Sequence, residues 1–177
     1  MSVRKLVTCS MCAALAVVTN LIRIYTFPFG GSVTLFSMLF IMLPAWFYGV
    51  REGFIVGLLF GIIQFIIEPF FLSVPQVILD YVLAFSIMGI AGIVRNKKNG
   101  LITGYIIAVI ARWVVATFAG IAWFKAGMAA WDGWAPLPYS MVYNAIYIFA
   151  EAAATIVILL IPAMRKALER VKSSISA

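Results

Sequence analysis

The chain has 177 residues, 65% of them hydrophobic and 11% charged, with a net charge of +7 and a mean hydropathy of +1.11. A soluble domain of this size has no means of covering so much apolar surface, which excludes water-soluble enzymes and nucleic-acid-binding modules alike. A hydrocarbon layer about 30 Å thick takes roughly 20 apolar residues per helical crossing, so this length suits about six crossings in a single all-α membrane domain spanning residues 1–177.

The first apolar run, 5–25, follows Arg4 and Lys5 and resembles the start of a signal peptide. No small-residue cleavage site leads into a hydrophilic segment, so it reads as a retained helix. Cys9 and Cys12 lie inside it, and without any histidine or a second cysteine pair they read as packing or lipid-facing residues, with no metal site expected. Ser10 and Ala14 form a step of small residues, with Ala13 beside them, that lets another helix approach closely. Internal packing and docking of a partner helix both use such a step.

Further crossings are expected at 33–50, 53–68, 75–95, 101–124 and 138–162. The first connection, FPFGGSVT, carries the Gly and Pro of a hinged segment and reads as a lid. Of the 13 Lys and Arg residues, 10 fall at the two termini and at the second and fourth connections. Positive charge stays in the cytoplasm, so both termini are expected there, and anionic lipid headgroups account for the net charge without nucleic acid.

Polar residues interrupt the later helices. Asp80 lies about 7 Å below the outer end of the fourth, at 1.5 Å per residue, with Gln76 one turn above it. In the sixth, Tyr139, Tyr143, Tyr147 and Glu151 recur every four residues, and Ser140 and Asn144 form the adjacent pair. Trp123, Trp131 and Trp134 sit at or in the connection that precedes it. A carboxylate, an amide, tyrosine hydroxyls and indoles at one depth suit a flat, cationic or amine-bearing small molecule. The competing reading makes the aromatics interfacial anchors and pairs Asp80 with a buried cation such as Arg112. Arg112 and Glu151, both near mid-membrane, are expected to neutralise each other, with a contact to substrate as the alternative for them.

The segments GGSVTLFSML, VREG, GLLFGIIQ, PQVILDYVLAFSIMGIAG, RWVVATFAG and YSMVYNAIY resemble, in that order and over nearly the whole chain, the ThiT (YuaJ) family of thiamine-specific S-components of energy-coupling-factor (ECF) vitamin transporters. The resemblance implies a multi-pass protein of a prokaryotic cell membrane that captures thiamine from outside and is not an enzyme. It implies substrate contacts at Asp80 (where the family usually has Glu), Tyr81, Tyr139 and Asn144, with stacking by Trp123, Trp131 and Trp134, and the four-residue face adds Tyr143 to the candidate contacts. It also implies partners: a transmembrane coupling subunit (EcfT) docked on Ser10, Ala13 and Ala14, and ATP-binding cassette ATPases (EcfA). The sequence GxxxxGK[ST] is absent, so ATP would be used by those partners alone and no cofactor is expected. Ala116 stands where familiar members carry a histidine, which keeps the pyrimidine precursor or riboflavin open as ligands. A stand-alone ion-coupled carrier and an intramembrane enzyme are the rivals from other classes, and neither has the repeats, broken helices or catalytic set it would need.

Overall fold

The computed structural model describes residues 2–125, 127 and 133–176. Its helices are α1 (Val3–Leu21), α2 (Ser37–Tyr48), α3 (Val50–Ile67), α4 (Val74–Val94), α5 (Gly100–Lys125), α6 (Pro136–Leu160) and α7 (Pro162–Ser176). Five of them, α1 and α3 to α6, are long and apolar enough to cross a membrane, and α2 is a shorter apolar helix. Six apolar helices therefore stand where six were expected, and a seventh, α7, continues beyond the last crossing.

The second crossing departs most from the sequence reading. Residues 33–50 do not form one helix: Ser32–Thr34 is a strand, β2, paired antiparallel with β1 (Arg23–Thr26). The alternation of β-branched and small polar residues in SVT favours extended pairing. Phe36 then takes a left-handed conformation at φ 64° and delays the start of α2 to Ser37, leaving 12 helical residues. α2 has no side-chain cap of its own. Glu151 of α6 supplies it, accepting from the Met38 N–H at 2.9 Å, the Ser37 hydroxyl at 3.0 Å and the Thr34 hydroxyl at 2.6 Å. A carboxylate at a helix N-terminus satisfies open N–H groups and meets the positive end of the helix dipole.

This arrangement corrects the expected Arg112–Glu151 pair. Glu151 is 3% exposed and already holds three donors, while the Arg112 guanidinium packs over the Phe85 ring with its carbon 4.5 Å from the centroid. The ion pairs among the described residues are Lys5–Glu52 and Arg23–Glu68 instead.

Gly49 alone separates α2 from α3, and its φ of 126° is open to glycine at little cost. Along α3, Gly53, Gly57 and Gly61 form one stripe at i, i+4 and i+8. A methyl group at Gly57 would come within 2.3 Å of the Phe85 carbonyl oxygen, and one at Gly61 within 1.7 Å of that of Tyr81. The backbones of α3 and α4 therefore touch, as small residues permit between membrane helices. Within α4 the turn Ile78–Leu83 widens to π geometry, with Asp80 inside it. α5 packs along α6 and against the C-terminal part of α4.

The four basic segments meet at one end of the bundle. Lys5 binds Glu52 at 2.6 Å, Arg4 donates to the Ser174 carbonyl at 3.4 Å, and Lys172 donates to that of Arg95 at 2.7 Å.

Two outcomes are expected. Glu151→Ala strands three buried donors and should lower stability by roughly 2 to 4 kcal/mol, read as a fall in Tm of the detergent-purified protein. Gly61→Leu should prevent the α3–α4 contact altogether, leaving protein that elutes as aggregate in gel filtration.

Candidate functional site

At the opposite end of the bundle, a cavity of about 340 Å³ is enclosed by α1, the hairpin, and α3 to α6. Its charged lining residues are Asp80, Glu68, Arg23 and Arg112. Two of these neutralise each other: Arg23 of β1 pairs with Glu68 at the end of α3. That pair is built into a chain of hydrogen bonds. Asn20 of α1 donates to the Gln64 side-chain oxygen at 2.8 Å, Gln64 donates to Glu68 at 3.0 Å, and the Tyr81 hydroxyl donates to the Glu68 carbonyl at 2.9 Å. Four elements are thereby tied together around one wall.

Asp80 is presented by the π turn of α4 and is half-buried in the cavity. Gln76, fully buried one turn earlier, donates to Asp80 Oδ2 at 2.7 Å, and its own oxygen accepts from the Leu72 N–H at 3.2 Å. The amide is thus fixed at both ends and orients the carboxylate. Tyr81 lies beside it with its ring against Phe65, the centroids 5.0 Å apart.

Arg112 lines the cavity from α5, and its Nη1 is buried without a hydrogen-bond partner among the described residues. Gly120, two turns later, lets α6 approach so closely that a methyl group there would fall 2.1 Å from the Ser140 hydroxyl. Ser140 donates to the Thr117 carbonyl at 2.5 Å, and the Asn144 amide donates to the carbonyls of Ala116, at 3.2 Å, and Ser140, at 2.9 Å. The Asn144 oxygen accepts from the Tyr147 hydroxyl at 2.5 Å.

The sequence-derived site residues thus divide into groups. Asp80, Tyr81 and Asn144 line the cavity, although Asn144 spends its hydrogen bonds on the α5–α6 seam and on Tyr147. Tyr139 and Tyr143 are not among the described lining residues. Tyr139 is 3% exposed and stacks on Tyr143, while Tyr143 donates to the Pro28 carbonyl and accepts from the Gly31 N–H at 3.1 Å, stapling the hairpin to α6. Trp134 is exposed and also outside the described lining. Trp131 and the side chain of Trp123 lie outside the described residues. Ser10, Ala13 and Ala14 of α1 all line an apolar groove of about 310 Å³ shared with α3, Ser10 and Ala14 at exposed positions and Ala13 at a buried one.

Sequence reasoning passed over Glu68, Gln64 and Asn20 as parts of one site, placed Tyr147 on the tyrosine face without naming it as a contact, and favoured an ion pair for Arg112 with a substrate contact as the alternative. A signal for the first set was present in Gln64 and Glu68, an i, i+4 polar pair at the outer end of an otherwise apolar helix. Tyr147 was legible as the next step of the Tyr139 and Tyr143 face.

Residues 6–170 match the family described as thiamine transporter protein (Thia_YuaJ). Among curated proteins, the chain is 31% identical to the thiamine transporter ThiT of Bacillus subtilis (strain 168), with 81% of each chain covered. Among solved structures, ThiT from Listeria monocytogenes superposes with a TM-score of 0.70 at 24% identity, over 90% of this chain and 96% of that one, which shows a common fold. The chain therefore belongs to the thiamine transporter family, a family of multi-pass membrane transporters and not of enzymes.

Proposed function

We propose that the protein is the high-affinity thiamine-binding S-component of an ECF-type transporter, capturing the vitamin from outside and passing it through a coupling module of EcfT and EcfA subunits. The observation that carries the binding half of this reading is the carboxylate of Asp80, oriented by Gln76 in a cavity where Glu68 pairs with Arg23. A cationic thiazolium or an aminopyrimidine gains directly from such a group, while a neutral isoalloxazine does not require it. Tyr81 and Tyr147 flank the space with aromatic surface.

Arg112 gives the ligand a direction. A guanidinium repels the cationic ring, so the ring lies toward Asp80, and the Nη1 donor, without a partner among the described residues, suits the hydroxyl on the ethyl chain that extends from that ring. This also accounts for Ala116 in place of the family histidine. Ala116 is buried in the α5–α6 seam, one turn from Arg112, and the donor for the hydroxyl end moves by that turn.

Delivery rests on the family and on α1. A groove edged by exposed Ser10 and Ala14 leaves room for a helix of the coupling subunit. The chain itself lacks the phosphate-binding loop of an ATPase.

Tryptophan fluorescence of the purified protein should show saturable quenching by thiamine and none by riboflavin. Asp80→Asn should weaken thiamine binding by about 2 to 5 kcal/mol, and unchanged affinity in that variant would remove Asp80 from the site. In proteoliposomes, thiamine uptake should require the coupling subunits and ATP. Replacing both Ser10 and Ala14 by Leu should stop uptake while leaving thiamine affinity within about twofold, and uptake driven by a pH gradient with this chain alone would establish the carrier reading instead.

A further inference from the structure

At the basic end of the bundle a separate cavity, of about 440 Å³, lies between the α4–α5 turn and α7. Its wall carries Arg95, Lys97, Lys98, Arg165 and Lys172 against one carboxylate, Glu169. Two of these cations make contacts that hold them in place. Arg95 donates to the Tyr48 carbonyl, and Lys172 donates to the Arg95 carbonyl while its Nζ lies 4.2 Å from the centroid of the Trp46 indole. Such contacts orient the two charges. α5 begins in the same wall at Gly100 and turns the positive end of its dipole toward the cluster.

The asymmetry of charge across the membrane explains why cations occupy this side, but not why they converge on a cavity. Convergence comes from α7. Leu168 and Ile175 pack on the apolar core, Lys172 and Arg165 share that half-buried face, and Met164 and Val171 are exposed beside Lys166 and Arg170. A helix of this kind, starting two residues after the last crossing ends at Leu160, suits the headgroup plane of the membrane. The cavity floor is apolar, formed by buried Trp46 and Leu101. A cationic rim over an apolar floor at the level of the headgroups matches a phosphate diester that continues into glycerol and acyl chains, more closely than it matches a fully solvated anion.

We propose that this cavity is a binding site for a phosphate-ester anion, supplied by the headgroup of an anionic phospholipid of the inner leaflet. Burial, and after it the neighbouring Arg95, hold the Lys172 ammonium below its usual range, as follows for a cation among cations. A bound phosphate relieves that repulsion and bridges α7 to the α4–α5 turn. The proposal is independent of which vitamin occupies the other end of the bundle.

The test uses the full chain in neutral detergent, with bound lipid counted by native mass spectrometry. Dioleoylphosphatidylglycerol should be retained and dioleoylphosphatidylcholine should not. Replacing Lys97, Lys98 and Arg165 by Gln should lower the apparent affinity for phosphatidylglycerol roughly tenfold, whereas replacing Arg51, Lys166 and Arg170, which removes the same charge outside the cavity, should change it less than about twofold. Gel filtration and Tm check that each variant is folded, and Lys97→Gln with Lys98→Gln, both at exposed positions, provides a milder pair with an intermediate loss. Equal losses in the two triple variants would reduce the effect to surface potential and overturn the site. Equal retention of the two lipids would do the same. Inorganic phosphate or glycerol phosphate that, at millimolar concentration, raises Tm as far as phosphatidylglycerol and displaces it would overturn the lipid source in favour of a soluble ester.

Discussion

A carboxylate withdrawn from water in the middle of a helix bundle destabilises the fold unless fixed donors surround it, and Glu151 is surrounded by three. Because those donors come from β2 and from the first turn of α2, the contact does more than satisfy one residue. It determines where the hairpin ends, allows α2 to start from a left-handed Phe36 that has no cap of its own, and locks both to α6. Tyr143, two turns earlier on α6, then holds the hairpin tip. The covering of the cavity is therefore a consequence of one face of α6.

The walls of that cavity are held by two different kinds of contact. α3 and α4 meet backbone to backbone along Gly53, Gly57 and Gly61, where van der Waals contact over a close approach supplies the attraction that hydrophobic burial does not supply in lipid. α5 and α6 meet through Gly120 and a seam of hydrogen bonds from Ser140 and Asn144. Between these two rigid pairs, the π turn of α4 has room to present Asp80. Charge is distributed accordingly: Glu68 is spent on Arg23, whereas Asp80 of α4 and Arg112 of α5 both line the interior.

Much of this was legible along the chain. Length and hydropathy set the number of apolar helices, the clustering of Lys and Arg set one end apart, and the isolation of Asp80 within an apolar helix marked it as exceptional. The four-residue spacing of the α6 tyrosines placed them on one face, yet it did not separate Tyr147, which lines the cavity, from Tyr143, which holds the hairpin. Spacing reports direction around a helix axis and says nothing about what stands opposite. The same limit explains the Arg112–Glu151 pair: both residues were judged from depth alone, and the donors that satisfy Glu151 belong to a segment more than a hundred residues away.

What the sequence determined by itself was the class of solvent around the protein, its number of apolar helices and the gathering of its cations into four segments, because these follow from composition and from period along one chain. Only the tertiary structure decided that residues 23–34 form a hairpin, that α7 folds back on the basic end, and which polar groups satisfy one another. Those outcomes depend on partners distant in sequence. The free energy of a buried polar group is set by the donor or acceptor that meets it, and that partner exists only once the helices have packed.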